Sequence, residues 1–462
     1  MSRVTPISGF PEWLPADRIV EQHFLDVIRD TFELHGFASI ETRAVEPVDR
    51  LSNQGEDADK EIYGVRRLGA DADDEGPGLG LHFDLTVPFA RYVLENAGKL
   101  AFPFRRYQIQ RVWRGERPQE GRFREFTQAD IDIVDSGTLP FHYEVELPLV
   151  IADAFNRLPV PRFRIQVNNR KIPEGFYLGL GIEDVAGVLR TVDKLDKIGP
   201  DNVTALLTEG GLSDTQAKAV LQLAEIATTD ASFADQVRAL GVRHETLDEG
   251  LEQLSQVITA ANEHAPGLLV ADLRIARGLD YYTGTVYETQ LIGHESYGSI
   301  CSGGRYDSLA SDGRTTYPGV GISIGVSRLL ARLLGQGLVA ATRSTPTAVL
   351  VALADEESRA DAMRTAAALR ARGIPVEVAP AAAKFGKQIR FADRRGIPFV
   401  WFSGPGGDSV KDIRSGEQVD ADVSVWTPPA DDLRPRVVVP NDVAAGNETA
   451  ADEDNTPSKE NS

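Results

Sequence analysis

The chain has a single cysteine, Cys301, in 462 residues. One thiol cannot form an internal disulfide, and it excludes a zinc site built from a cysteine cluster. No apolar run approaches the roughly 20 residues that cross a bilayer. The N-terminal MSRVTPISGFPEWLP lacks the charged-then-apolar pattern of a secretion signal. No Gly-Lys-Ser/Thr phosphate loop is present. Basic residues are outnumbered, 49 Lys and Arg against 69 Asp and Glu, leaving a formal charge of −20. Such a balance favours solubility and argues against a general nucleic-acid coat, while allowing a local basic site on an acidic body. These absences predict a soluble cytoplasmic protein without a membrane segment.

What is present supports a sizeable core. Hydrophobic residues make up 42% of the chain, enough for two or more domains at this length. Apolar pairs recur four apart from Ile19/Val20 to Thr31/Phe32, which predicts an amphipathic helix over 17–35 ended by Gly36. A strand follows over 37–47, closing at Pro47. Residues 52–80, rich in Asp, Glu and Gly, read mostly as mobile loop. HFDLTVPFARYVLENA passes from a strand or turn into a helix. Over 105–134, two alternating runs flank the polar ERPQEGR, which predicts a hairpin. Residues 172–255 carry helical spacing and no strand alternation, and strand patterns return at 267–325. From Pro346 strands and helices alternate, predicting a small α/β domain with a largely parallel sheet. The end, from Asn441, has almost no large apolar residues and reads as disordered.

Several stretches carry more hydrogen-bonding chemistry than a core needs. ARGLDYYTGTVYE places Arg277, Asp280, Tyr281 and Tyr282 among two glycines. In the hairpin, Arg114 and Glu116 end one strand, and Arg122, Arg124 and Phe126 open the next on a shared face. Guanidinium forks beside an aromatic ring can hold an anionic, planar ligand; the same charges can also pair with each other on a solvated hairpin. Gln128 and Asp132 share a strand face as pocket residues or as exposed positions. Glycines at 303, 304, 319, 321 and 325 either clear room for a flat ligand or allow tight sheet–helix packing. Lys387, Arg390 and Arg394 fall on one helix face, with Lys384 nearby, suited to phosphates or simply to water.

Taken together, these pieces resemble the class II aminoacyl-tRNA synthetases, and within them the histidyl-tRNA synthetases. The class hairpin motif reads Arg114-Gly-Glu116, loop, Arg122-x-x-x-Phe126. The third class motif reads Gly321-Ile-Ser323-Ile-Gly325-Val-Ser327-Arg328, and the first spans 17–47 with Pro47. RGLDYYTGTVYE and GGRYD, joined by DLT at 84–86 and the Gln128/Asp132 pair, are the histidyl-specific signatures. Ser327 departs from the usual acid and Ser323 from a common glycine; Ser302 precedes two glycines where three are frequent.

The resemblance implies an α+β fold, with an antiparallel sheet flanked by helices. It implies catalytic residues over 1–170 and 261–338, a helical insertion over 171–260 and an anticodon-binding α/β domain over 345–440, before an acidic tail at 441–462. It implies ATP and Mg²⁺ as reactants, L-histidine and tRNA(His) as partners, and a homodimer paired through the first-motif helix and strand. Arg114 and Arg277 would be catalytic. Asp84, Leu85, Thr86, Gln128, Asp132, Tyr281 and Tyr282 would hold histidine. Arg114, Glu116, Arg122, Phe126 and Arg328 would hold ATP. Arg117, Gln119, Lys387, Arg390 and Arg394 would touch tRNA. A histidine-sensing paralogue of this family typically lacks the C-terminal domain and has an eroded hairpin and Arg-Gly-Leu-Asp region; both are intact here.

Overall fold

The structure is a computed structural model and describes residues 4–52, 60–69, 78–119, 121–275, 281–404 and 406–440. Two compact units divide the chain: residues up to Pro11 with Leu25–Arg332, and Glu12–Phe24 with the chain from Leu333 onward.

The first unit is organised by one nine-stranded sheet. Its strands in chain order are β1 (Ala38–Ser39), β2 (Phe104–Trp113), β3 (Glu125–Val134), β4 (Phe163–Asn169), β5 (Ala227–Thr228), β6 (Leu269–Asp272), β7 (Thr285–Leu291), β8 (Cys301–Tyr306) and β9 (Gly319–Gly325). Across the sheet they run β1-β2-β3-β9-β8-β7-β4-β6-β5. Neighbours are antiparallel except β1 with β2 and β4 with β6. The fold is therefore the expected α+β type, with two parallel pairs in the sheet.

Strand periodicity explains how one sheet serves core and site together. Along β3, Ala129, Ile131 and Ile133 are buried on one face, while Gln128, Asp130 and Asp132 are buried on the other. The register sets Arg106, Gln108 and Gln110 of β2 opposite Asp132, Asp130 and Gln128. On the other side of β3, Gly321, Ser323 and Gly325 of β9 face the same three residues. A polar face thus crosses adjacent strands at the centre of the sheet.

Helix α1 (Pro15–Leu34) buries Val20, Phe24, Ile28 and Phe32 completely, four residues apart, and Gly36 beyond it takes a positive φ of 77°. These four residues are buried within the single chain. The single strand expected over 37–47 is two short ones, β1 and Val45–Pro47. Between them Gln110 Nε2 donates to the Thr42 carbonyl at 3.1 Å and Gln108 Nε2 to Thr42 Oγ1 at 2.9 Å. The Thr42 carbonyl is thus taken by a side chain and not by a neighbouring strand.

Val45–Pro47 pairs instead with Leu79–Leu81, which also pairs with Gly64–Val65. The loop expected at 52–80 falls largely on 53–59 and 70–77, outside the described residues, as does the tail at 441–462. Helices α2 (Thr86–Asn96) and α3 (His142–Asn156) follow. The stretch from 171 is helical: α4 (Lys171–Gly179), α5 (Val185–Val192), α6 (Leu195–Glu209), α7 (Asp214–Ala224), α8 (Phe233–Ala239) and α9 (Glu245–His264). Ser213 and Gln216 form a reciprocal capping box at α7. Contrary to expectation this stretch also contributes a strand, the two-residue β5 against β6. Helix α10 (Val326–Gly335) leaves β9 directly.

The second unit holds β10 (Val349–Val351), α11 (Arg359–Ala371), β11 (Val376–Val378), α12 (Phe385–Arg395), β12 (Phe399–Phe402), β13 (Ser409–Asp412) and β14 (Gln418–Asp420). The sheet order is β11-β10-β12-β13-β14. The first three strands are parallel, as helical crossovers require, but β13 and β14 continue it antiparallel. The largely parallel sheet is thus corrected to a mixed one. Its core includes Val349, Leu350, Ile374, Phe399 and Trp401. Among the described residues no helix is long and apolar enough to cross a membrane.

Candidate active site

The polar face of β2, β3 and β9 forms the floor of a buried acidic pocket. Asp84, Asp130 and Asp132 are each no more than 2% exposed. Asp132 ion-pairs with the fully buried Arg106, Nη2 to Oδ2 at 2.6 Å, and its Oδ1 accepts from the Tyr306 hydroxyl at 2.8 Å. Arg106 Nη2 also donates to the Leu85 carbonyl at 3.2 Å, and its guanidinium lies 4.4 Å from the centre of the Phe89 ring. Asp84 precedes α2, accepts the Val87 amide at 3.1 Å and takes the Tyr281 hydroxyl at 3.2 Å. Gln128 Nε2 donates to Ser323 Oγ at 2.7 Å. Tyr281 and Tyr282, both half-buried, meet edge to face at 4.9 Å between ring centres, and Thr86 in the first turn of α2 is half-buried beside them.

Burial dominates the electrostatics. It raises the Asp84 carboxyl above its usual range, against the opposing Val87 amide, Arg114 and Tyr281. It pushes Asp132 up to about 6, opposed by Arg106 and the Tyr306 hydroxyl, and Asp130 up to about 7, opposed chiefly by Arg106. Burial and the neighbouring carboxylates also hold the Tyr282 hydroxyl protonated, well above its ordinary range. The pocket therefore presents carboxyl groups held above their usual range, with phenols fixed as donors.

Two glycines make this arrangement possible. A Cβ on Gly321 would stand 2.0 Å from Asp132 Oδ1, and one on Gly304 would stand 2.9 Å from the Tyr282 ring. The glycines of the third motif were open to a flat ligand; at these positions they make room for the pocket's own side chains. Gly321→Ala is therefore expected to displace Asp132 from Arg106 and Tyr306 and to lower stability by about 1–3 kcal/mol, the cost of overpacking a filled site. Urea melts of the variant beside wild type test it.

At the hairpin tip, Arg114 Nε donates to the Phe83 carbonyl at 2.9 Å, and its guanidinium is 5.1 Å from the centre of the half-buried Phe126 ring. The strand opens only at Glu125, so Arg122 and Arg124 do not share a strand face with Phe126. Arg122 bridges to Gln119 and ion-pairs with Glu116 at 3.1 Å, while the Arg124 and Glu125 amides both bond the Gly9 carbonyl. A bonded N-terminal segment displaces the ladder there. Arg117 and Gln119 are exposed. Arg328, on α10, donates to the Tyr297 carbonyl at 2.8 Å. Ser327 is buried and accepts the Thr127 amide at 2.8 Å, tying the start of α10 to β3. Arg277 lies outside the described residues, as does Asp280. No group of three or more His, Cys, Asp or Glu side chains among the described residues is placed to hold a metal ion.

The GGRYD stretch latches the tyrosine segment to the sheet. Arg305 bonds Glu144 at 2.7 Å and Asp307 at 2.9 Å. Asp307 in turn accepts from Thr283, and the buried Glu144 from Thr285. Sequence reasoning missed Arg106, Asp130, Ser323 and Tyr306 as pocket groups. The signal for the first two was present, since polar residues alternate along both hairpin strands. In the second unit, Lys387, Arg390 and Arg394 are exposed on α12, opposite the buried Gln388 and Ala392. Their side chains have no bonded partner among the described residues.

A sheet of this topology, with an arginine-tipped hairpin beside an acidic pocket and a Gly-rich strand running into a helix, defines a class II aminoacyl-tRNA synthetase. Residues 9–329 match the family model of histidyl-tRNA synthetase, and residues 347–424 match that of an anticodon binding domain. The chain is 61% identical to histidine–tRNA ligase of Micrococcus luteus over 454 residues, covering 95% of this chain and 99% of that one. It is also 61% identical to that of Cutibacterium acnes over 452 residues, covering 95% and 99%. The crystal structure of histidyl-tRNA synthetase from Nostoc sp. PCC 7120 superposes with a TM-score of 0.80 at 34% identity, covering 97% of this chain and all of that one. The chain belongs to the histidyl-tRNA synthetase family.

Proposed function

We propose that the chain ligates L-histidine to the 3′ end of tRNA(His) through a histidyl-adenylate, releasing pyrophosphate and then AMP. The observation that carries this reading is the buried Asp84–Asp130–Asp132 set beside Tyr281 and Tyr282. Imidazole offers one donor and one acceptor on opposed ring nitrogens. Asp132 and Tyr282 supply the complement, and Tyr281 shapes the wall. A pocket that pairs both nitrogens rejects apolar isosteres, which leave its polar groups unsatisfied. Asp84, Leu85, Thr86 and Gln128 hold the α-ammonium and carboxylate.

The histidine carboxylate attacks the α-phosphorus of ATP, and negative charge builds at phosphorus as pyrophosphate departs. Arg114 stabilises that charge from the hairpin side and, on the strength of its motif, Arg277 from the other. Phe126 and Arg328 flank the adenine, Glu116 meets its edge and Arg122 follows the pyrophosphate. Mg²⁺ enters with ATP as part of the substrate, bound largely by phosphate oxygens. Arg117 and Gln119 reach the acceptor end of tRNA, and Lys387, Arg390 and Arg394 meet phosphates of the anticodon stem. Residues 1–170 and 261–338 form the catalytic domain, 171–260 the insertion and 345–440 the anticodon-binding domain. The working form is a cytoplasmic homodimer, an assignment that rests on the family resemblance and not on the α1 stripe.

Amino-acid-dependent ATP–pyrophosphate exchange across all twenty amino acids tests the reading. Exchange with histidine alone is expected, followed by charging of tRNA(His). Histidine binding without exchange would overturn the enzyme assignment.

A further inference from the structure

The floor of the pocket holds buried polar atoms without hydrogen-bond partners among the described residues, the Arg106 Nε and Nη1 donors as well as several acceptors. Gln128 Oε1, Asp130 Oδ1 and Gln108 Oε1 are all buried and without a hydrogen-bond partner among the described residues. Both amide nitrogens are already committed, Gln128 Nε2 to Ser323 and Gln108 Nε2 to Thr42 and Gln110. Gln128 and Asp130 lie two apart on one strand face, and Gln108 stands across from Asp130. Buried polar groups left this way cost stability unless a ligand meets them.

Charge points in the same direction. Asp84, Asp130 and Asp132 face two cations, Arg106 and Arg114. Around Asp130 stand Arg106 of β2, Asp132 of β3, Ser323 of β9, Cys301 of β8, Asp84 ahead of α2, and Tyr282. Among the described residues the carboxyls outnumber these cations by one. An ammonium group brings a positive charge with three N–H donors.

We infer that Asp130 recognises the α-ammonium group of histidine together with Gln128 Oε1 and Asp84, and that it loses its proton to solvent as that cation arrives. The inference rests on the histidine pocket proposed above. Asp130 was absent from the residues singled out in the sequence, and it adds a charge-matching group to that pocket. No bond other than the O–H of the carboxyl breaks, and the proton passes to the buffer. Burial lifts the Asp130 carboxyl to about 7, so binding at pH 7 releases part of a proton per site.

Isothermal titration of histidine into the full-length protein at pH 7, in buffers of different ionisation enthalpy, measures that release directly. Wild type is expected to release a measurable fraction of a proton with histidine and markedly less with imidazole-lactate, which keeps the ring and lacks the ammonium. Asp130→Asn is expected to abolish the difference and to weaken histidine roughly tenfold, the loss of one charge-assisted contact. Equal release with both ligands overturns the inference, and this wild-type comparison stands even where the variant misfolds. Unchanged affinity and proton release in a folded D130N also overturn it. Asp132→Asn separates the two readings. If it binds histidine as wild type does, the pocket assignment itself fails. If it loses histidine while D130N behaves as wild type, only the role of Asp130 fails.

Discussion

Replacing Arg114 with alanine is expected to slow histidyl-adenylate formation by about 10³-fold or more, while histidine still binds. The magnitude follows from what the side chain would do. A guanidinium aimed at a phosphoryl group in transfer acts where charge develops, and loss of such groups costs about 10²–10⁵-fold in rate. Arg114 is held from two sides, by its bond to the Phe83 carbonyl and by the Phe126 ring. It has no carboxylate ion-pair partner within the described residues that would quench its charge. A second effect has a definite sign. Arg114 is one of the groups that lower the Asp84 carboxyl, so its removal makes Asp84 easier to protonate and moves the optimum for histidine binding to higher pH. Single-turnover quench measurements of adenylate, with histidine affinity followed against pH, check both. A rate within tenfold of wild type would place the catalytic charge elsewhere.

Much of this site can be read along the chain, and the rest cannot, for a physical reason. Asp132, Gln128, Tyr281 and Tyr282 are legible because the residues sit in short contiguous stretches, and two of them share a strand face by simple alternation. Arg106 and Asp130 alternate in the same way, yet their importance depends on register. Only the pairing of β2 with β3 puts Arg106 opposite Asp132, and nothing in a single strand states which residue of its neighbour it meets. Tyr306 lies within a recognised stretch, but its hydroxyl reaches Asp132 only after β8 and β9 stand beside β3. The hairpin tip fails in the opposite direction. Local alternation extended the strand to Arg122, but the Gly9 carbonyl occupies the Arg124 and Glu125 amides.

The two serines of the third motif illustrate how a departure from a family pattern is absorbed. An acid at position 327 would bring a charge to the start of α10, beside Arg328. Ser327 instead uses its hydroxyl on the Thr127 amide, and Ser323 takes the Gln128 amide nitrogen. Each serine fixes a neighbour of the pocket floor without adding charge. Ser323 also orients Gln128, because a side-chain amide whose nitrogen is committed must turn its oxygen elsewhere. The direction of the Gln128 oxygen is thus set by a residue on another strand.

Arg106→Met is expected to convert the pocket into a pH-dependent weak point. Arg106 is wholly buried, pairs with Asp132 at 2.6 Å and packs over Phe89. Methionine keeps much of the volume and the contact with the ring, so the principal change is electrical. Arg106 is the strongest opponent of burial at both Asp130 and Asp132, and without it both carboxyls titrate at still higher pH. A carboxyl raised above its unfolded value binds its proton more tightly in the folded state. Stability is then fully present below the unfolded pKa near 4 and is lost as pH rises through the folded pKa. The variant should therefore stand close to wild type at pH 5 and fall behind it by about 3–5 kcal/mol at pH 8 to 9, the cost of breaking a buried pair. Histidine affinity should drop at least 100-fold at pH 7, because a neutral pocket no longer attracts the ammonium, and should partly recover at pH 9 as the carboxyls ionise. Urea melts at pH 5, 7 and 8.5 and calorimetric titration with histidine read the two effects. A stability deficit equal at all three pH values would mean that Arg106 acts through packing alone. Recovery of affinity with pH alongside a growing stability deficit would identify one cause for both, the buried charge that the guanidinium balances in the wild-type protein.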